Sequence, residues 1–277
     1  MRPRLALACL AAAALAGPSA RAGVTRCWID NGAVVAPAAL GDIAGDFLFD
    51  LSAPRSELHL TRAQGGGLEG PAMTATLRLA GERIPATFAV ADLDARSWGF
   101  PSTINGLIGA DVLAGYVVEV RLAPCRIALW RRRPPRAPVL ASLPVHIVSG
   151  VPTVEASIFD GQVGETGWFA IDTGTAAVRV STALAALSRA PKGLDPDSRV
   201  RPPARLAAVG LAGSALTNLP ASLENDLPSG LVGGLGDAVW SRYAGFRLDL
   251  RRGRLQLLAP KPRPSVSGRR RARSGGS

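Results

Sequence analysis

The stretch Gly167-Trp168-Phe169-Ala170-Ile171-Asp172-Thr173-Gly174-Thr175 decides how this chain is read. An apolar run ends in an aspartate, and the aspartate opens a turn built around a glycine. A short apolar run bounded by such a turn reads as a buried strand. A second version lies upstream, where Asp46-Phe47-Leu48-Phe49 runs into Asp50 and is followed by Leu51-Ser52-Ala53-Pro54.

The similarity extends along the chain. Downstream of Asp50 comes Gly106-Leu-Ile-Gly109, with Asp111 and Leu113; downstream of Asp172 comes Gly230-Leu-Val-Gly233, with Leu235 and Asp237. Each is followed by two strand-like runs: Tyr116–Leu122 with Arg126–Leu129, and Phe246–Leu250 with Arg254–Leu257. The offsets are 122 for the aspartates, 124 for Gly106 and Gly230, and 128 for Arg126 and Arg254. Features in one order with a slowly drifting offset point to a duplication. The alternative is that apolar runs with glycines recur in any β protein. The period gives two homologous lobes of ordinary domain size. Residues 23–132 form the first and residues 139–260 the second. The linker, 133–138, falls in Arg131-Arg-Arg-Pro-Pro-Arg-Ala-Pro138, which has three prolines and no periodicity.

Within each lobe the signals are mostly β. Ala75–Leu79 and Ile84–Val90 read as a hairpin around Gly81, and Val145–Val148 with Val151–Ile158 as another. Helical stretches are few and short: Ser181–Arg189, Ala110–Leu113 and Asp237–Tyr243. With 31 glycines and 22 prolines, the composition favours many short elements joined by turns. The expected class is all-β.

The two ends differ from the body. Arg2 and Arg4, the apolar Leu5–Ala16 and Ala20-Arg21-Ala22 read as a secretory signal over residues 1–22, and the chain is expected to be exported, periplasmic or secreted. An uncleaved anchor is the alternative. No later run is apolar for about 18 residues, so no transmembrane segment is expected. Cys27 and Cys125 remain after cleavage, and an even pair in an oxidising compartment favours one disulfide; two buried free thiols are the alternative. The formal charge of +11 falls to +2 once Arg2, Arg4 and Arg21 and the six cations of the tail, residues 261–277, are set aside. That tail is rich in Pro, Ser, Gly and Arg and reads as a disordered, solvated end; the alternative is contact with anionic surfaces through its cations. Nucleic acid is not an expected partner, because no aromatic residues interleave with the cations. Two histidines and two distant cysteines make no metal site.

Asp172-Thr173-Gly174-Thr175 resembles the D-T-G-A/S/T active-site turn of aspartic proteases. Gly-Leu-Val-Gly resembles that family's hydrophobic-glycine motif, and Asp249-Leu-x-x-Gly-Arg-Leu-Gln-Leu257 its closing hairpin. The resemblance covers nearly all of residues 23–260 and looks closest to bacterial periplasmic relatives of the pepsin and retropepsin families. It implies two acid-protease-like β-barrel lobes with a cleft between them, a peptide or protein substrate, no cofactor and no metal. It also implies a catalytic pair, Asp50 and Asp172. Two carboxylates at hydrogen-bond distance share one proton; the ionised one activates a water and the protonated one polarises the peptide carbonyl. Thr173 would brace the turn across the lobes, and Gly174 would let the backbone approach the opposite carboxylate. Lobe one departs from the pattern. Leu51 has no hydroxyl to brace with, and Ser52 carries a Cβ where the family prefers glycine, so closer approach is expected to be harder there; Ala53 completes that turn. A flap is expected between Gln64 and Phe88, hinged at Gly65-Gly66-Gly67.

Three readings follow. The first is an aspartic endopeptidase. The second is a pseudoprotease that binds peptides or serves as an envelope scaffold. The third is an envelope structural protein held by its tail. A serine hydrolase lacks G-x-S-x-G, and no phosphate-cradling loop is present.

Overall fold

The computed structural model describes residues 23–181, 204–225 and 227–260. The expected signal, the basic tail and all but the first residue of the Ser181–Arg189 helix lie outside these residues. The first half contributes β1 (Gly23–Arg26), β2 (Trp28–Asp30), β3 (Ala33–Leu40), β4 (Ile43–Phe49), β5 (Glu57–His59), α1 (Leu60–Gly65), β6 (Ala72–Leu79), β7 (Glu82–Ala91), α2 (Asp94–Ser97), β8 (Ile104–Ile108), β9 (Val117–Leu122) and β10 (Cys125–Trp130). The second half contributes β11 (Val139–Pro144), β12 (His146–Val148), β13 (Val151–Phe159), β14 (Gly164–Ile171), β15 (Val178–Ser181), β16 (Ala204–Leu211), β17 (Ser214–Glu224), β18 (Gly233–Leu235), α3 (Asp237–Trp240), β19 (Phe246–Asp249) and β20 (Arg254–Leu258). Among the described residues no helix is long and apolar enough to cross a membrane.

The same sheet is built twice. In lobe one the order is β3-β4-β8-β5-β7-β6, and β6 pairs back onto β3 to close a six-stranded barrel; β2 extends it. In lobe two the order is β13-β14-β18-β15-β17-β16, with β16 closing onto β13 and β12 as the extension. Each barrel holds two parallel pairs, β4 with β8 and β5 with β7, matched by β14 with β18 and β15 with β17. Barrel interiors are filled by side chains from every strand. Here Phe47, Phe49 and Phe88 fill one and Phe169, Ile171 and Val209 the other, all fully buried.

A third sheet, β1-β10-β9-β19-β20-β11, joins the lobes. Its central pairing crosses between halves, with Val118 opposite Leu248 and Val120 opposite Phe246. Alternation sorts its faces: Ile127, Val118, Val120, Leu248 and Leu255 point into the core, while arginines occupy the other side. Cys27, between β1 and β2, is bonded to Cys125 at the start of β10 with an S–S distance of 2.07 Å, so the expected disulfide is present.

Two expectations need correction. Phe47 pairs with Gly106 in the parallel β4–β8 ladder, and Phe169 pairs with Gly233 in the β14–β18 ladder. Gly233 therefore takes the place of Gly106, and Gly236, not Gly233, that of Gly109. A Cβ on Gly109 would press on the carbonyl of Ala53, and one on Gly236 on that of Thr175, so both glycines do the same job beside the aspartate turn. Gly230 lies three residues earlier in a turn at φ +86°. The run Gly230-Leu-Val-Gly-Gly-Leu-Gly236 offers two overlapping matches to the motif, and the strand pairing selects the second. The flap expected between Gln64 and Phe88 is not formed there. The β6–β7 turn, Ala80-Gly81, packs against β1, where a Cβ on Gly23 would collide with the Ala80 carbonyl. Gly66 ends α1, donating to the carbonyls of Arg62 and Ala63.

Candidate active site

Both aspartates sit where a parallel pair ends. The Asp50 N–H donates to the Ile108 carbonyl at 3.0 Å and the Asp172 N–H to the Leu235 carbonyl at 3.1 Å, which fixes each turn to its barrel. Both residues are fully buried. Asp172 keeps the pattern expected of its turn: Oδ1 accepts from the Gly174 N–H at 2.8 Å and Oδ2 from the Thr175 hydroxyl at 2.8 Å. The indole of Trp240, on α3, donates to the Asp172 carbonyl at 2.9 Å and pins the turn from behind.

The turns meet across the lobe boundary. The Thr173 hydroxyl donates to the Phe49 carbonyl at 2.6 Å and accepts from the Leu51 N–H at 3.0 Å. Leu51 returns nothing from its side chain, which is buried in the core, so the brace is one-sided. Gly174 faces Asp50 so closely that a Cβ there would lie 2.6 Å from the carboxylate carbon and from Oδ2. Only glycine fits.

Ser52 does not crowd the site as its Cβ suggested. Its N–H and hydroxyl both donate to Asp50 Oδ1, at 2.8 and 2.6 Å, and its hydroxyl oxygen accepts from Arg179 Nη2 at 2.9 Å. Ala53 caps the turn by donating to the Asp50 carbonyl.

Two arginines complete the site. Arg96, on α2, donates through Nη2 to Asp50 Oδ2 at 2.5 Å. Arg179, on β15, places Nε 2.6 Å from Asp172 Oδ2. Arg179 is largely enclosed, whereas the Arg96 side chain is 40% exposed. Gly234 makes room for Arg179, since a Cβ there would lie 3.0 Å from Nε and 3.3 Å from Asp172 Oδ2. The equivalent position in lobe one is Leu107, which is buried and apolar. The segment bearing Arg96 is tied down by His59, whose Nε2 lies 3.1 Å from Asp94 Oδ1, and by Asn31, which donates to the Gly99 carbonyl at 3.0 Å. The same segment carries Trp98, 90% exposed, beside Phe100 on a cavity of about 630 Å³.

The electrostatics are uneven. Burial pushes the Asp50 carboxyl up, but Arg96, the Ser52 hydroxyl and Arg179 outweigh it and hold Asp50 below the usual carboxylate range. Burial also raises Asp172, the negative charge of Asp50 adds to it, and Arg179, Thr175 and the Gly174 N–H only partly offset the rise. The pair therefore splits, with Asp50 the readily ionised member and Asp172 the one that holds a proton longer.

Neither arginine stands out in the sequence as a site residue. Arg179 had a faint signal: β15 alternates Val178, Arg179, Val180, which puts a cation among buried neighbours, and its lobe-one equivalent is Glu57, also charged. Arg96 had none, because its segment has no counterpart in the repeat. Among the described residues no cluster of His, Cys, Asp and Glu side chains could hold a metal.

The fold matches that of a solved aspartic proteinase from Irpex lacteus, with a TM-score of 0.55 at 14% identity, over 86% of this chain and 97% of that one. No protein-family model and no curated protein sequence matches the chain.

Proposed function

We propose that this chain, built on the two-lobed aspartic-proteinase fold, is an exported pseudoprotease: a protein that binds extended peptide in its cleft without hydrolysing it. One observation carries the reading. Oδ2 of each aspartate, the oxygen left free by the turn's own N–H bond, is engaged by a guanidinium, Arg96 on Asp50 and Arg179 on Asp172. A catalytic pair works because two like charges in one dry site force a shared proton. Two guanidinium charges offset part of that repulsion and occupy the acceptor sites a reacting water needs. The exposed Trp98 and adjacent Phe100 offer peptide side chains an apolar contact on the Arg96 segment. The disulfide fits an oxidising compartment.

The endopeptidase reading has its own support. The Asp172 turn is held by the Gly174 N–H and the Thr175 hydroxyl, and the two carboxyls are pushed apart in the direction that gives one base and one acid. In that case Arg96, the more exposed cation, is a plug that must leave.

The test is an unfolded protein substrate incubated with wild type and Arg96→Ala from acidic to neutral pH. The pseudoprotease reading expects no cleavage by either protein and retained peptide binding, read by fluorescence anisotropy. Cleavage that appears in Arg96→Ala and disappears on adding Asp172→Asn would establish a plugged enzyme.

A further inference from the structure

The outer face of the joining sheet carries an unusual row. Arg26 on β1 stands directly opposite Arg126 on β10, and Arg126 directly opposite Arg121 on β9. Neighbouring strands are only about 4.8 Å apart, and like charges placed directly opposite destabilise a sheet. Arg121 is relieved by Glu119, 2.7 Å away, but Glu119 also serves Arg247 at 2.6 Å. Among the described residues Arg26 and Arg126 have no carboxylate partner, and both are exposed. The register continues this face onto Arg254, opposite Asp249, whose carboxylate is already held by Arg252 at 2.8 Å. The linker crosses the same face and encloses a cavity of about 450 Å³ with Arg133 and Arg136 on its wall. Residues 23–260 carry a formal charge of only +2 in total. Val24 and Leu140, 55% and 59% exposed, stand among them.

We propose that this face is a docking surface for a bilayer rich in anionic phospholipid. The exposed, unpaired guanidiniums of Arg26, Arg126 and Arg254 suit a surface of phosphates, and arginine engages phosphate through paired N–H bonds. The exposed valine and leucine suit the boundary between headgroups and acyl chains. The sequence that follows β20 holds six more cations, Lys261 to Arg273. The inner face of the sheet is core, so docking leaves the cleft between the lobes open to solvent.

The experiment is co-sedimentation of the full chain with vesicles of phosphatidylglycerol and phosphatidylcholine in equal parts, against pure phosphatidylcholine. Binding is expected only to the anionic vesicles and is expected to weaken with salt. An arginine near an anionic leaflet contributes about fivefold in partitioning. Arg26→Gln with Arg126→Gln should therefore weaken binding by about 25-fold, and adding Arg254→Gln by about 100-fold. These side chains are exposed and unpaired, so circular dichroism should remain that of wild type; the double variant suffices if the triple one misfolds. Three results would overturn the proposal. One is binding unchanged in the double variant. Another is a chain with Arg269, Arg270, Arg271 and Arg273 replaced by serine whose residual binding is not weakened further by Arg26→Gln with Arg126→Gln, which would assign binding to the tail alone. The third is displacement by millimolar inorganic phosphate, which would mark a discrete phosphate pocket in place of a lipid surface.

Discussion

The backbone N–H of Leu51 donates to the hydroxyl of Thr173 at 3.0 Å across the lobe boundary. In a symmetric site each turn would return such a bond. Here Leu51 gives the core an apolar side chain instead, and Ser52, through Arg179, supplies a second polar link between the lobes.

Ser52 is therefore expected to hold the site together. Ser52→Gly removes a donor to Asp50 and an acceptor for Arg179, both enclosed, at a cost of about 1–3 kcal/mol. Urea unfolding checks this. If the glycine variant is as stable as wild type, the hydroxyl contributes nothing and the bridge is incidental.

The two aspartates should respond to pH with opposite signs. Burial raises Asp50 but its arginines and Ser52 prevail, so its folded value lies below the ordinary 3.8. Its contribution to stability is present above 3.8 and lost as pH falls through the lower folded value. Burial and the Asp50 charge raise Asp172, so its contribution is present below 3.8 and lost as pH rises through the raised value. Relative to wild type, Asp50→Asn should thus lose ground as pH rises, and Asp172→Asn should gain it. Unfolding free energies measured from acid to neutral pH give both slopes. Slopes of the same sign would contradict the split.

Gly174→Ala tests how closely the turns approach. Its Cβ would lie 2.6 Å from the Asp50 carboxylate, which cannot retreat while bonded to Ser52 and Arg96. Overpacking of this kind costs about 1–3 kcal/mol. A crystal structure of the variant should show Asp50 displaced from Arg96; an undisturbed ion pair would mean the approach is looser than the geometry states.

The disulfide closes a loop between residues 98 apart. In the chain-entropy model that contributes about 3–5 kcal/mol, which corresponds to a fall of roughly 10 °C in melting temperature on reduction. Calorimetry with and without reductant measures it, and an unchanged melting temperature would show that the sheet needs no staple.

Much of the frame was legible in the residues. The duplicated strand-aspartate pattern placed Asp50 and Asp172, and the alternation of Leu77, Ile84 and Phe88 marked the β6–β7 hairpin. Local pattern could not resolve the phase of the glycine run, because Gly230 and Gly233 match the motif as well as Gly233 and Gly236 do; only the pairing of Phe169 with Gly233 separates them. Arg96 was invisible for a different reason. Its partner Asp50 lies 46 residues away, and nothing in the run Asp94-Ala-Arg-Ser97 signals where that side chain reaches. Gly234 shows the reverse case: a glycine between two motif matches is the space an arginine occupies.

The joining sheet has a consequence for how the molecule is assembled. Its middle strands, β9 and β19, come from points well over a hundred residues apart, and β19 is hydrogen-bonded to β20, which ends at Leu258. Lobe one can close its own barrel early, but the apolar edge of β9, with Val118 and Val120, has no cover until nearly the whole chain has been synthesised. Pairings so distant in sequence form slowly, and an uncovered strand edge invites association with other chains. Nascent lobe one should consequently be the species most dependent on chaperones. A ribosome-stalled chain ending before Phe246 should be captured by such a partner, and one extending beyond Leu258 released.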